Sequence, residues 1–229
     1  MFVVVSSPKG GCGASVVSTA LAALLSTAVI DRDRRLSTHL VDLGGDQPAI
    51  LGVGTPPHGI TNWMLDAAGQ RLADLLAPVT EQLSILPFGS GSLPESESAS
   101  WPVFTSALRN DTSSHHTVID ASLVALPDSV YQESDLHIMV VQPCYLALRS
   151  AVADPRLEHV DGLVIVRPPH RVLNDRDVEN VLGVSVLASI PTDHDVARRV
   201  DSGLLHSRLP DVLRIGLEPL VVGPRHQTP

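Results

Sequence analysis

A chain of 229 residues with 44% hydrophobic residues suits one α/β domain of ordinary size, or at most two small ones, and is too apolar for wholesale disorder. Its formal net charge of −9 argues against broad nonspecific DNA binding, which needs a basic surface. No apolar run reaches the length of a bilayer span, and Phe2-Val3-Val4-Val5 has no basic stretch before it and does not read as a signal peptide.

Aromatic residues make up 3%, so Val, Leu, Ile and Ala must build the core, which favours buried parallel strands under helices. Met1 to Ser7 predicts the first strand, and a glycine loop follows. Val17, Leu21 and Leu25 then recur at four-residue spacing, predicting a helix over 15–25 with one buried stripe. Asp31-Arg32-Asp33-Arg34-Arg35 reads as a solvated helix end or loop. Thr38 to Leu43 predicts the second strand, ending at Gly44-Gly45-Asp46, and 62–76 carries helical candidates. Leu83 to Leu86 is a short strand, and the Ser-, Gly-, Pro- and Glu-rich stretch 89–100 is a surface loop prone to disorder. Further strands are expected at 117–120, 136–142, 163–167 and 184–190. Pro143 opens a helix to about 152, Asn174 or Asp175 caps another containing Val178, Val181 and Leu182, and Val196, Val200 and Leu204 mark a helix face. The alternation predicts a doubly wound, three-layer α/β domain with a mostly parallel sheet over 1–210. Residues 211–229 read as a tail, a poor membrane helix with Arg214, Arg225 and interior prolines Pro219 and Pro224.

The glycine loop, Pro8-Lys9-Gly10-Gly11-Cys12-Gly13-Ala14-Ser15, lies between a strand and a helix. In that context backbone N–H groups curl around phosphate oxygens and the helix adds its positive end. Ser15 is placed to offer a hydroxyl to Mg²⁺. Against the general pattern G-x-x-x-x-G-K-[ST], Pro8 replaces the first glycine and Ala14 the lysine, so the loop alone also reads as a glycine-rich turn.

The loop resembles the deviant Walker A motif of the MinD/ParA superfamily, K-G-G-x-G-K-[ST]. Four more segments follow in that family's order. Leu40-Val41-Asp42-Leu43 resembles the strand leading to switch I, and Val118-Ile119-Asp120 resembles Walker B. Ser134-Asp135 to Pro143 and Ile190-Pro191-Thr192-Asp193, with Val196 and Gly203 beyond, resemble later family segments. The resemblance implies a P-loop NTPase-like fold, with ATP held by Lys9, Gly10, Gly11, Cys12, Gly13, Ala14, Ser15, Asp120 and Pro191. It implies Mg²⁺ at Ser15, Asp42 and Asp120, and a homodimer through the P-loop face, where Lys9 would reach the partner's nucleotide. Within the superfamily the chain is most similar to TadZ/CpaE-like and septum-site-determining proteins.

The departures all remove nucleotide chemistry. Ala14 lacks the phosphate-contacting ammonium. Gly44 stands where the family has its second switch acid, leaving Asp42 and Asp46 as candidate catalytic carboxylates. Val166, at the adenine-reading Asn position, cannot hydrogen-bond a base. The expectation is a degenerate ATPase with weak or absent hydrolysis, a cytoplasmic localisation or scaffold protein for pilus, secretion or division machinery. Such a protein would reach a pole or membrane through a partner. The alternatives are an active ATP-dependent monomer–dimer switch and a DNA-partitioning ATPase.

Other residues point elsewhere less well. Cys12 and Cys144 form no disulfide framework, and a reactive Cys12 thiol is the lesser reading beside a small residue filling the loop. Ten histidines show no zinc-ligand spacing, no G-x-S-x-G elbow occurs, and Arg198-Arg199 read as a solvated helix face.

Overall fold

The computed structural model describes residues 1–28, 36–65, 71–111 and 115–222. The charged run 31–35, part of the helical candidates in 62–76, and the end of the tail with Pro224 and Arg225 lie outside these residues.

Eight strands form one sheet: β1 (Phe2–Ser6), β2 (Ser37–Asp42), β3 (Ala77–Pro78), β4 (Leu83–Leu86), β5 (His115–Ser122), β6 (Leu136–Val141), β7 (Gly162–Arg167) and β8 (Val186–Pro191). Their order is β3-β4-β2-β5-β1-β6-β7-β8, parallel throughout except for the two-residue β3, which runs antiparallel to β4. The helices are α1 (Ala14–Thr27), α2 (Gln47–Leu51), α3 (Ile60–Leu65), α4 (Ser100–Asp111), α5 (Asp128–Glu133), α6 (Tyr145–Val152), α7 (Asp175–Leu182), α8 (His194–Asp201) and α9 (Asp211–Val222). The predicted three-layer α/β architecture is the observed one.

The two-residue period of the strands sorts the core into layers. Val3, Val5, Leu40, Val118, Ile138, Val140 and Val164 face one side, with α1 and α9. Phe2, Val4, Val41 and Ile119 face the other, where Trp63, Trp101, Phe104 and Tyr131 gather the few aromatics. Met139, Val141, Leu163 and Ile165 continue that second side under α6 and α7.

Several elements differ from the sequence reading. The segment from 211 is a helix rather than a tail as far as Val222: Leu213, Leu217 and Leu220 recur at helical spacing and pack into the α1 side of the core. This changes α1 too. Ten of its fourteen residues are buried, not one stripe, because α9 covers the flank that the sheet does not. Helices α4 and α5, to which the sequence reading gives no element, pack on each other on the opposite side. Pro102 sits in the first turn of α4, where a missing N–H costs little. Helix α8 ends at Asp201, so Leu204 lies beyond it, while Val196 and Val200 are half-buried against the core. The loop at 89–100 is a surface loop tied to its surroundings: Trp101 Nε1 donates to the Glu95 carbonyl (3.0 Å), and Thr61 Oγ1 donates to the Ser90 carbonyl (3.1 Å). Of the two expected caps, Asn174 rather than Asp175 is the one used, and Asp177 reciprocates it in a capping box.

Both edges of the sheet are modified. Pro78 in β3 lacks an N–H, and at β8 the Val186 N–H donates to Glu179 Oε1 (2.8 Å). Among the described residues no helix is long and apolar enough to cross a membrane.

Candidate functional site

Strands β5, β1 and β6 lie side by side and deliver their carboxyl ends to one rim, where ligands of open α/β sheets bind. The glycine loop is there. Gly11 (φ 79°) and Gly13 (φ 98°) take left-handed conformations that side chains rarely adopt. Gly13 caps α1 without a side-chain hydrogen bond, leaving the first-turn amides uncapped by any side chain. Lys9 Nζ donates to its neighbour's carbonyl, Gly10 O (2.9 Å), and Gln142 Nε2 braces the loop through Gly11 O (2.9 Å). Gly10 and Gly11 are exposed, and a methyl added at either would meet nothing within 4 Å. Cys12 is buried, and burial pushes its thiol up against the opposing charge of Lys9, which keeps it a protonated filler. Ala14 is buried in the α1-side core, so a core methyl stands where the resemblance implies a cation.

The two acids stand opposite each other, Asp42 on β2 in register with Asp120 on β5, and both are fully buried. Asp42 Oδ1 accepts from the N–H groups of Gly44 (3.1 Å) and Gly45 (2.6 Å), and its Oδ2 accepts from the Gln47 N–H (3.3 Å). Burial, with Asp120 adding to it, pushes Asp42 up to about 7 despite these donors. Asp120 Oδ2 accepts from Gln47 Nε2 (2.7 Å) and Oδ1 from Ser122 Oγ (2.9 Å). Burial raises Asp120 as well, with the hydrogen bonds pulling the other way. Ser122, held at a left-handed φ of 46°, also shares a hydrogen bond with Ser15 Oγ (3.1 Å).

A hydrated Mg²⁺ needs oxygens free to face it. Here Ser15, Asp42 and Asp120 converge as the resemblance implies, but protein donors already occupy the oxygens of both acids, and the Ser15 hydroxyl is turned to Ser122. The arrangement does not fit the ion unless Gln47 and Ser122 leave. Asp46 is exposed, at the N-cap of α2 and making no side-chain cap, and stays outside this network. Among the described residues no group of three or more His, Cys, Asp or Glu could hold a metal.

Beyond the loop, Pro191 ends β8 opposite Arg167 at the end of β7. A cleft of about 480 Å³ opens between them, lined by Arg167, His170, Arg171, Pro191, Asp193 and His194. Arg167 is committed to Asp175 and to the Leu173 carbonyl. Val166 lies against the loop, 3.5 Å from where a methyl on Gly13 would sit.

Three residues here escaped the sequence reading. Gln47 and Ser122 close the acid pair. Arg156, buried and paired with Asp154 (2.6 Å), donates to Ser7 O (2.7 Å), Ser122 O (3.1 Å) and Val124 O (3.2 Å), joining the ends of β1 and β5 under the loop. No local motif marks them: Gln47 reaches Asp120 across the sheet, Arg156 reaches the ends of β1 and β5, and Ser122 joins Asp120 to Ser15 of the loop.

No protein-family model matches the chain, and no curated protein matches it in sequence. Solved structures match its shape. The MinD cell division protein of Aquifex aeolicus aligns with TM-score 0.75 at 15% identity, covering 96% of this chain and 95% of that one. A ParA family ATPase from Chlorobium tepidum aligns with TM-score 0.74 at 17% identity, over 96% and 98%. The septum site-determining protein MinD of Pyrococcus horikoshii, solved with Mg-ADP, aligns with TM-score 0.70 at 19% identity, over 96% and 93%. From the sheet order to the glycine loop at its rim, this chain has the fold of the MinD/ParA ATPases.

Proposed function

We infer that this chain is a MinD/ParA-type protein that has kept the scaffold and given up most of its nucleotide chemistry. It acts as a localisation or scaffold protein for division, pilus or secretion machinery. One observation carries the reading: both carboxylate oxygens of Asp120 are held by Gln47 and Ser122. Ala14 supports it, because the lost lysine–phosphate contact is worth about 1.5–3 kcal/mol of nucleotide affinity. If the lysine also stabilises developing charge, its absence costs about 10²–10³-fold in rate. Gly44 supports it further, offering no carboxylate to orient a water.

The reading places self-association at the rim. Leu123 (55% exposed), Tyr145 (72%) and Leu146 (63%) follow β5 and β6, the two neighbours of β1, and flank the glycine loop with apolar surface. The net charge of −9 keeps nonspecific DNA outside it.

Steady-state ATP turnover tests the chemistry. We expect a rate about 10²–10³-fold below that of a lysine-bearing relative, unchanged by Asp120→Ala. Turnover at ordinary ATPase rates that Asp120→Ala abolishes would overturn the reading. In sedimentation, the wild type should dimerise without nucleotide and Tyr145→Ser/Leu146→Ser should be monomeric. A monomeric wild type rejects the interface.

A further inference from the structure

We propose that the Gln47 carboxamide is a built-in substitute for a divalent cation, a neutral internal ligand that fixes the segment after β2 in one position without metal. The proposal deepens the functional reading above and rests on it for the loss of metal-dependent chemistry. Gln47 is fully buried at the first position of α2. Its Nε2 faces two acceptors, Asp120 Oδ2 (2.7 Å) and the Ser15 carbonyl (3.0 Å). Its Oε1 faces the Thr19 hydroxyl (2.6 Å). Two acceptors on one side and a donor on the other settle which end of the amide is nitrogen. The side chain thus ties β5 to the start of α1, where the glycine loop ends, and the Gln47 backbone N–H reaches Asp42 on β2, so one residue joins the three elements that carry Ser15, Asp42 and Asp120.

The other end of the segment is pinned independently. Gly52, just past α2, meets Gly203, just past α8, so closely that a methyl on Gly52 would lie 2.6 Å from the Gly203 carbonyl. Both glycines have left-handed φ, 66° each. A segment held at Gln47 by four hydrogen bonds and at Gly52 by backbone contact has no slack with which to follow a ligand. The amide also supplies no charge. A carboxylate at position 47 would put like charges on Asp120 and restore the need for a cation.

Thermal unfolding of the full chain in EDTA, and then with Mg²⁺ or Mn²⁺ alone, tests this directly. The wild type should melt at the same temperature in all three. Gln47→Glu should melt about 4 °C or more lower in EDTA and recover when either cation is added. If Gln47→Glu fails to fold, Gln47→Met keeps the size without the donors. That variant should melt lower than the wild type and ignore both cations. A wild type that Mg²⁺ alone stabilises overturns the proposal, as does a folded Gln47→Glu indifferent to cations or a Gln47→Met as stable as the wild type. The two readings fail separately. ATP hydrolysis with no melting response to Mg²⁺ sinks the functional reading only, and a Mg²⁺ response without hydrolysis sinks the cation substitute only.

Discussion

Arg156 shows how much of the site depends on one residue far from the motif. Its guanidinium satisfies three carbonyls at the ends of β1 and β5 and is neutralised by Asp154. At Asp154 burial works to raise the carboxyl, but the hydrogen bonds and charge of Arg156 outweigh it and hold the group below its usual range. Breaking one side of a buried pair strands the other charge. Asp154→Ala should therefore cost about 3–5 kcal/mol, read as a lower urea midpoint at unchanged slope. A change below about 1 kcal/mol would mean the pair is solvated. The acids of the site were legible in the sequence because each closes an apolar run, Leu40-Val41 before Asp42 and Val118-Ile119 before Asp120. Gln47 and Arg156 were not, because Gln47 reaches Asp120 across 73 positions and Arg156 reaches Ser7 across 149. Nothing local distinguishes such a glutamine or arginine from a surface one.

Among the elements, α1 and α9 were misread for a single reason. A helix that looks one-striped by spacing is buried all round when another helix lies on its outer flank. That second helix was hidden by Pro219 and by its place after a proline-terminated stretch. Strands β1, β4, β5, β6 and β7 were legible because continuous apolar runs bounded by turn residues have few alternatives. Helix α4 carries a stripe of Trp101, Phe104 and Leu108 at helical spacing, obscured by the Ser-, Gly- and Pro-rich stretch that runs into it, whereas α5 has six residues, too few to show a period. The burial of α9 has a measurable consequence. Leu217 is fully buried between α1 and the sheet, so Leu217→Ala should cost about 2–5 kcal/mol. Unchanged stability of Leu217→Ala would mean that α9 adds nothing to the core.

For the whole molecule, stability across mildly acidic pH is set by opposed buried groups. His137 is fully buried, its Nε2 against Ser6 Oγ (2.8 Å) and its Nδ1 against the His159 carbonyl (3.1 Å). Burial pushes it down to about 4, and it does the same to His116. Between pH 6.5 and about 4 the unfolded chain takes up protons that these two rings refuse, so stability falls on acidification through that window. Asp42, raised to about 7, works in the opposite sense: folded, it holds a proton that the unfolded chain releases above its ordinary 3.8, so its contribution is lost as pH rises. Urea midpoints from pH 7 to 4 should decline less for His137→Gln than for the wild type. Parallel declines would remove His137 from the account. The fold as a whole survives 15–19% identity to its solved neighbours because alternating apolar strands and covering helices specify it, whereas single polar contacts decide what the rim can do.

The ends of the sheet bear on how this protein meets others. An open parallel sheet offers two templates for a further strand. Here one side terminates in a two-residue antiparallel stub containing Pro78, and on the other a glutamate side chain has already claimed the first outward amide of β8. Strand-by-strand growth into fibres, and capture of an extended peptide along an edge, are both blunted by this chemistry. Recognition is left to side chains, on the strand-end rim and the outer faces of the helices, where a single substitution can redirect it without endangering the sheet.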